Sequence, residues 1–342
     1  MIEEKKTVTV LTTINPPDHR VSKWFDITKN NSIIVGDNKT PLNWKFEKCT
    51  YYSILEQKNS EFRIGQKLPE NHYTRKNIGY LYALQAGASQ IIDTDDDNFP
   101  YNGIWNTLLS NSFNFKELHS SQEKTYKNIY SYFSNMAPAF WPRGFPLDAL
   151  LKESATINEE ELTIKEKNEN IALWQCMVDG DPDIDAIHRL IFRETPSFQK
   201  KPALLYSRNN FCPFNSQNTL WRKKSIFPLL YLPSTVSFRF TDILRGYVAQ
   251  TIMHSKGIKW GFFQSSALQE RNKHDIMKDF HSETVMYNEM NKIIDLLNSS
   301  VRSTASIEDN LFCCYEILEK KRIVQMNELH LIELWLKDLS SI

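Results

Sequence analysis

The sequence predicts an α/β fold with a doubly wound sheet, because strand and helix patterns alternate through its first hundred residues. Residues 7–13 are rich in β-branched side chains and end at two prolines, which terminate a strand. Residues 20–28 repeat apolar side chains at helical spacing, and residues 32–35 predict a second strand before a turn-forming run. Short apolar runs at 51–55 and 90–92 extend the βαβ pattern.

The composition is that of a globular protein and excludes several functional classes. The 342 residues are 41% hydrophobic and 12% aromatic, enough for one large or two modest domains. Basic and acidic residues number 41 each, so nothing favours nonspecific binding to nucleic acid. Five cysteines lack metal-ligand spacing and are expected to be reduced, structural thiols. No apolar run reaches the roughly 18 residues of a transmembrane segment. We therefore expect a cytoplasmic protein, with peripheral attachment to the inner face of a membrane left open.

The stretch of residues 75–98 carries the strongest functional signal. Its first part, residues 76–86, has the spacing of an amphipathic helix, and Gly87 follows where a C-cap residue with positive φ belongs. Residues 90–92 then predict a strand buried in a parallel sheet. Ligands of open α/β sheets gather outside the carboxyl ends of strands, so the residues after this strand are candidates for a binding site.

Four carboxylates follow that strand within five residues: Asp93, Asp95, Asp96 and Asp97. Packed together in a poorly hydrated place they repel one another, and a cation would compensate them. Asp95 and Asp97 are two positions apart, so an extended chain would point both towards one hard cation. An isolated acidic run is usually a solvated turn, but the buried strand before this one favours a metal site.

A nucleotide is expected to lie across the loops after the first strands. Asp37 stands in the turn after the second strand, where it could accept a hydrogen bond from a base N–H. The alternative that Asp37 only forms an Asx-turn remains open.

The second half of the chain predicts two further strands, an acidic loop and a polar loop. Residues 172–178 and 203–206 are the strands, and the acidic loop 179–185 is either a second ligand site or a turn before a helix N-cap at Asp183 or Asp185. The loop at 211–221 combines amides with aromatic rings and carries no charge, which suits hydrogen bonding to sugar hydroxyls.

Within residues 238–250, Asp242 comes directly before an apolar helical stretch, and Arg245 follows one turn further on. Asp242 is either a helix N-cap or the carboxylate that activates an acceptor hydroxyl, with Arg245 neutralising a phosphate. After a last strand at 259–263, the basic run Arg271 to His274 is suited to a diphosphate.

The remaining segments are predicted to have structural roles. Residues 140–151 form a rigid loop whose one cation is Arg143. The polar run 153–170 is a surface excursion or a short exposed helix, and it would join the two halves. Residues 275–297 and 307–339 predict amphipathic helices for packing or for homo-oligomerisation.

Taken together, the motifs resemble the STELLO family of glycosyltransferase-like proteins. They are VGD at 35–37, KTP at 39–41, KNIGY at 76–80 with Ala83, DTDDDN at 93–98, WPRGFPL at 141–147 and PFNSQNT at 213–219. The chain is also distantly similar to the reversibly glycosylated polypeptides, which include the plant UDP-arabinopyranose mutases. The resemblance spans roughly residues 7–285.

This resemblance implies a GT-A fold, a Rossmann-like domain that binds a nucleotide diphosphate sugar. Residues 1–285 would form it, with a nucleotide half at 1–150 and an acceptor half at 170–285, and residues 286–342 would be a helical extension. Mn²⁺ or Mg²⁺ would be bound by Asp95, Asp97 and His274. The donor would contact Thr12, Asp37, Arg75, Lys76, Asp95, Asp96 and His274.

The implied activity is metal-dependent transfer of a hexosyl or pentosyl group from a UDP-sugar to a glycan or lipid-linked acceptor. Asp242 would remove the proton from the acceptor hydroxyl, giving inversion, although a retaining course stays open. Two alternatives remain: a UDP-sugar mutase that needs no acceptor, and a non-catalytic scaffold that keeps the fold.

Overall fold

Strands and helices alternate along the chain, as the sequence predicts. The computed structural model describes residues 5–111, 113–134, 140–165, 170–192, 194–271 and 275–342. The strands are β1 (Thr7–Thr13), β2 (Ser32–Gly36), β3 (Thr50–Tyr52), β4 (Gln90–Asp93), β5 (Asn98–Pro100), β6 (Phe115–Leu118), β7 (Thr125–Tyr126), β8 (Leu162–Lys165), β9 (Leu173–Gly180), β10 (Ala203–Tyr206), β11 (Asn210–Phe211), β12 (Thr219–Trp221) and β13 (Trp260–Gln269). The helices are α1 (Lys23–Ile27), α2 (Ile54–Lys58), α3 (Lys76–Gln85), α4 (Asn102–Ser110), α5 (Ile129–Phe133), α6 (Leu147–Leu150), α7 (Ala186–Ile191), α8 (Thr241–Ser255), α9 (Ile276–Ser300), α10 (Ile307–Lys320) and α11 (Met326–Ser340).

One mixed sheet of 11 strands organises these elements, which confirms the α/β class. Its strand order is β3-β2-β1-β4-β12-β9-β13-β10-β6-β8, with β5 paired to β13. The first four strands are all parallel and follow the 3-2-1-4 order of doubly wound sheets. β12 runs antiparallel to both of its neighbours, β4 and β9, so the sheet as a whole is not parallel. The chain order reverses between β1 and β4, and the loops after these two strands therefore diverge and leave a crevice.

Helix α3 carries the candidate site residues into this crevice. The helix ends one residue earlier than predicted, and Gly87 has the expected positive φ of 82°. The predicted amphipathic character is wrong, because residues 76–83 are all buried. The helix packs against β1 and β2. Its polar residues Lys76 and Asn77 donate to the buried carbonyl oxygens of Thr94 and Leu232.

Three local expectations are corrected by the structure. The strand predicted at 51–55 ends at Tyr52, because Ser53 and Glu56 form a capping box that starts α2. The helix predicted at 20–28 is confined to the five residues of α1. The predicted surface excursion includes β8, which pairs with β6 at an edge of the main sheet.

The carboxyl-terminal helices share a hydrophobic core with the sheet. Leu297 of α9, Tyr315 of α10 and Trp335 of α11 are buried in the same cluster as Val10 of β1. Helix α9 also runs without a break through the boundary predicted at 285/286. All five cysteines are free. None of the described helices combines the length and the apolar character that crossing a bilayer requires.

Candidate active site

A cleft of about 540 Å³ opens where the loops after β1 and β4 diverge. This volume is in the range of small-molecule sites. The apolar part of its wall is formed by Leu11, Val21, Phe25, Trp44, Phe46 and Phe99. The polar part includes Thr13, Asn15, Asp18, Arg20, Asp96, Asp97 and Glu270. The cleft thus combines an aromatic wall with carboxylates at the switch point of the sheet.

The acidic run after β4 is a turn rather than an extended chain. The backbone N–H of Asn98 donates to the carbonyl oxygen of Asp95 at 3.3 Å, which closes the turn. The expectation that extended geometry points Asp95 and Asp97 the same way is therefore wrong. Asp95 Oδ1 instead accepts from Tyr73 Oη at 2.6 Å, while Asp97 Oδ2 accepts from Gln269 Nε2 at 2.9 Å.

Asp96 is anchored to the loop after β1. Its Oδ2 accepts from Thr13 Oγ1 at 2.5 Å and from Asn15 Nδ2 at 3.0 Å. These bonds tie the two loops of the crevice together. Thr12, a predicted donor contact, precedes Thr13 in β1 and is half-buried.

Burial raises the pKa of all three carboxyls in the turn. It raises the pKa of Asp95 and of Asp96, and it raises that of Asp97 to about 7, with the charge of Asp95 adding to the effect. Carboxylates whose charge is disfavoured in this way are suited to a hard divalent cation, which removes the repulsion. The residues of the turn therefore have donor groups suited to Mn²⁺ or Mg²⁺, and the binding of either ion stays a prediction.

The described residues supply only part of a coordination shell. In the ranges that the structure describes, no group of three or more His, Cys, Asp or Glu side chains is arranged to hold a metal ion. Mg²⁺ usually takes one or two carboxylates and completes its shell with water and substrate phosphates. His274, the third predicted ligand, lies outside the described residues, so its role stays a prediction.

Lys76 joins the turn to the buried interior. Its ammonium group is fully buried and lies 2.7 Å from Asp93 Oδ1 and 3.0 Å from Asp95 Oδ1. Burial lowers the pKa of Lys76, but the two carboxylates outweigh it and raise the pKa. Lys76 is therefore a charged contact of Asp95, and its contact with a donor stays a prediction.

Arg245 lies on the other side of Asp93. Its Nη1 is 2.8 Å from Asp93 Oδ2 and its Nη2 donates to the carbonyl oxygen of Asn215 at 2.9 Å. The side chain is 1% exposed. Arg245 thus holds Asp93 in place, and the predicted contact with a phosphate would require this ion pair to open.

Asp242 lies in the first turn of α8 and is not its N-cap. The N-cap is Phe240, which makes no side-chain capping bond. Both oxygens of Asp242 accept from Arg143 Nη2 at 3.1 Å, and Oδ2 also lies 3.5 Å from Ser216 Oγ. Ser216 Oγ in turn is 2.5 Å from Tyr73 Oη. A continuous polar chain therefore joins the predicted metal ligand Asp95 to the predicted base Asp242.

The second acidic loop has mixed roles. Asp185 is the N-cap of α7 and accepts from the backbone N–H of His188 at 2.9 Å. This confirms the prediction that the loop includes a helix N-cap. Asp183 instead forms a bidentate pair with Arg143 at 2.8 and 2.7 Å. Burial would raise the pKa of Asp183, but Arg143 and its neighbouring arginines hold it well below its usual range.

The side chains of Asp37 and Arg75 hydrogen-bond to backbone groups of the protein. Asp37 accepts from the backbone N–H groups of Asn71 at 2.9 Å and His72 at 3.0 Å, so its carboxylate fixes the turn before α3. Arg75 is 1% exposed and donates to the carbonyl oxygens of Gly65 and Leu68. The structure does not bring these two side chains to the acidic turn, and their contacts with a nucleotide stay predictions.

Sequence reasoning missed four residues of the polar chain and its flank: Tyr73, Arg143, Asp183 and Ser216. Arg143 offered a signal, because it is the one cation of an otherwise apolar loop. Ser216 belongs to the loop predicted to bind sugar hydroxyls, but residues 211–221 are buried and bond within the protein. No signal in the sequence pointed to Tyr73, because its position depends on a short 3₁₀ turn before α3.

Comparison of the sequence with known proteins finds similarity to glycosyltransferases. A family model described as STELLO glycosyltransferases matches residues 239–342, which contain Asp242, Arg245 and α9 to α11. Two Arabidopsis thaliana proteins, probable glycosyltransferase STELLO2 and probable glycosyltransferase STELLO1, are each 27% identical to the chain over 244 residues. The matches cover 66% of this chain and 30% of each relative. They confirm that the chain resembles the STELLO family of glycosyltransferase-like proteins.

Proposed function

We propose that the protein is a metal-dependent glycosyltransferase of GT-A fold that moves a sugar from a UDP-sugar to a hydroxyl of a glycan or lipid-linked acceptor. The observation that carries this proposal is the chain of contacts from Asp95 through Tyr73 and Ser216 to Asp242. It brings a candidate metal ligand and a candidate base to one site from opposite halves of the sequence.

The cleft beside the acidic turn is the proposed donor site. Trp44 and Phe46 give it an aromatic wall against which a nucleobase can stack, and Asp96 and Asp97 line its other side. The diphosphate would then lie over the turn. A divalent cation bound there supplies charge neutralisation for the departing diphosphate. Lys76 would hold Asp95 in place beside the same group through its 3.0 Å contact.

Asp242 is the proposed base of the transfer step. The acceptor oxygen forms a bond to the anomeric carbon while the bond from that carbon to the diphosphate oxygen breaks. The hydroxyl proton passes to Asp242, and the diphosphate leaves with the bonding electron pair. Arg143, which bonds both oxygens of Asp242, positions this carboxylate and must release one oxygen to the acceptor.

Titration calorimetry tests the donor site. UDP-sugars and GDP-sugars are titrated into the protein with Mn²⁺ and again with chelator. We expect metal-dependent binding of a UDP-sugar that is lost in Asp95→Ala and Asp97→Ala. Asp295→Asn, an exposed residue paired with Lys124, is the control and should bind normally.

Three outcomes separate the candidates. Binding followed by transfer to an acceptor supports the transferase. A changed sugar isomer formed without acceptor would support the mutase instead. No binding of any nucleotide sugar to folded protein would overturn the enzyme and favour the scaffold.

A further inference from the structure

A large aromatic ring stands exposed beside the polar chain. Phe238 is 57% exposed, whereas the next two residues of the sequence, Arg239 and Phe240, are buried. Its ring meets those of Tyr73 and His72 at steep angles, with centroid distances of 5.7 and 6.4 Å. Water contact at a ring of this size is unfavourable, and a ligand that packs on the ring would remove that surface from water.

The loop that carries Phe238 is held firmly on both sides. Glu328 of α11 is fully buried and accepts from the backbone N–H groups of Ser234 at 3.0 Å and Thr235 at 2.8 Å. On the other side, Arg239 Nε donates to Glu283 of α9 at 2.7 Å. The exposure of Phe238 is thus built into the fold, because the anchored backbone holds the ring outward.

The position of Phe238 relates it to both chemical groups of the proposed reaction. Tyr73, which its ring contacts, bonds Asp95 through its hydroxyl group. Asp242 follows four residues later, in the first turn of α8. A ring stacked on Phe238 would therefore lie beside the site where the acceptor hydroxyl has to enter.

Sugar rings have the chemistry that such a site recognises. One face of many pyranoses carries only C–H groups, which pack on an aromatic ring, while the hydroxyl groups at the rim hydrogen-bond to polar neighbours. The loop at 211–221, which the sequence offered for this purpose, is buried. The exposed aromatic surface near the polar chain is at Phe238 instead.

We propose that Phe238, with His72 beside it, is the platform on which the sugar ring of the acceptor stacks. The acceptor is then a glycan with a terminal pyranose, in contrast to a peptide or a bare lipid alcohol. This inference rests on the proposed function, and it assigns Phe238 as a residue that determines acceptor specificity.

Saturation-transfer difference NMR tests the platform directly. The probes are methyl β-D-glucopyranoside, methyl β-D-galactopyranoside and methyl α-D-mannopyranoside, each added to the protein with UDP and Mn²⁺. We expect saturation of the C–H protons on one face of at least one glycoside. Phe238→Ala should reduce that signal by about tenfold, as for removal of an aromatic anchor, and Phe238→Trp should retain it.

The controls separate this inference from the proposed function. Leu151→Ala removes a side chain that is 95% exposed elsewhere, and it should leave the glycoside signal unchanged. An equal signal in Phe238→Ala, or no glycoside signal in a protein that binds a UDP-sugar with Mn²⁺, would overturn the platform alone. If the wild-type protein bound no UDP-sugar, the proposed function would be overturned as well.

Discussion

Asp93 shows how much of the site depends on one buried charge. Its carboxylate is fully buried between the ammonium group of Lys76 and the guanidinium of Arg245. Replacing one member of such a group leaves the other charges buried without compensation. We expect Asp93→Asn to lower the free energy of unfolding by about 3–5 kcal/mol, measured by urea denaturation.

An exposed ion pair provides the matched control. Asp295, whose side chain is 64% exposed, pairs with Lys124. Because solvent screens such a pair, Asp295→Asn should cost less than about 1 kcal/mol. Equal effects of the two substitutions would show that Asp93 is not the charge on which the buried network depends.

His254 gives the fold a dependence on pH. Trp260 Nε1 donates to His254 Nε2 at 3.2 Å, which requires that nitrogen to be unprotonated. Burial, with a smaller effect of Arg208, lowers the pKa of His254 from 6.5 to about 3. Below pH 6.5 His254 is therefore protonated in the unfolded chain but not in the folded protein. The free energy of unfolding then falls as the pH decreases.

Substitution of His254 isolates this effect. The amide oxygen of His254→Gln can accept the same bond from Trp260 but does not titrate. Between pH 7 and pH 5 the wild type should lose stability relative to the variant, by up to about 1.4 kcal/mol per pH unit below the unfolded pKa. Urea unfolding at both pH values measures the difference, and a constant difference would contradict the assignment.

At the scale of elements, the packing of α8 on the loop at 213–218 sets the distance between Asp242 and Ser216. Gly246 makes this contact, since a β-carbon there would overlap the carbonyl oxygen of Phe214. Gly246→Ala must move the helix or the loop, and we expect a loss of about 1–3 kcal/mol together with weaker donor binding. Thermal unfolding and calorimetry measure the two effects.

Gly103 of α4 is the corresponding control. A β-carbon there would meet no heavy atom within 4 Å. Gly103→Ala should be neutral or stabilise the protein by up to about 1 kcal/mol, because glycine is a poor helix former. If Gly246→Ala behaved in the same way, the close contact would not determine the position of α8.

The elements were more predictable from the sequence than their arrangement. Strand β1, strand β4 and the cap at Gly87 follow from β-branched runs and turn chemistry, which act over a few residues. The antiparallel insertion of β12 beside β4 has no local signal, because it joins segments over a hundred residues apart. For the same reason the contact of Tyr73 with Ser216 could not be predicted, and Lys76 was named as a donor contact only through the resemblance.

At the scale of the whole molecule, the helices after residue 285 belong to the same core as the sheet. Trp335 of α11 is fully buried, donates to the carbonyl oxygen of Pro228 at 3.0 Å and packs near Tyr231. We expect Trp335→Ala to destabilise the entire protein by about 3–5 kcal/mol in one cooperative transition. Hydrogen exchange should report equal losses of protection in α11 and in β1.

Met326 opens the same helix and serves as the control. It is 76% exposed, so Met326→Ala should change stability by less than about 0.5 kcal/mol. Loss of protection in α11 alone after Trp335→Ala would instead support an independent helical extension.

The pairing of Asp93 with Arg245 also has a consequence during synthesis on the ribosome. The two residues are 152 positions apart, and chains elongate at about 5–20 residues per second. Asp93 therefore leaves the exit tunnel on the order of 8–30 s before Arg245 does. During that interval β4 also lacks its neighbour β12, so the nascent chain exposes an apolar strand edge. Chaperones that shield such edges are expected to matter for the yield of this protein, and slow translation between the two halves would prolong the risk of aggregation.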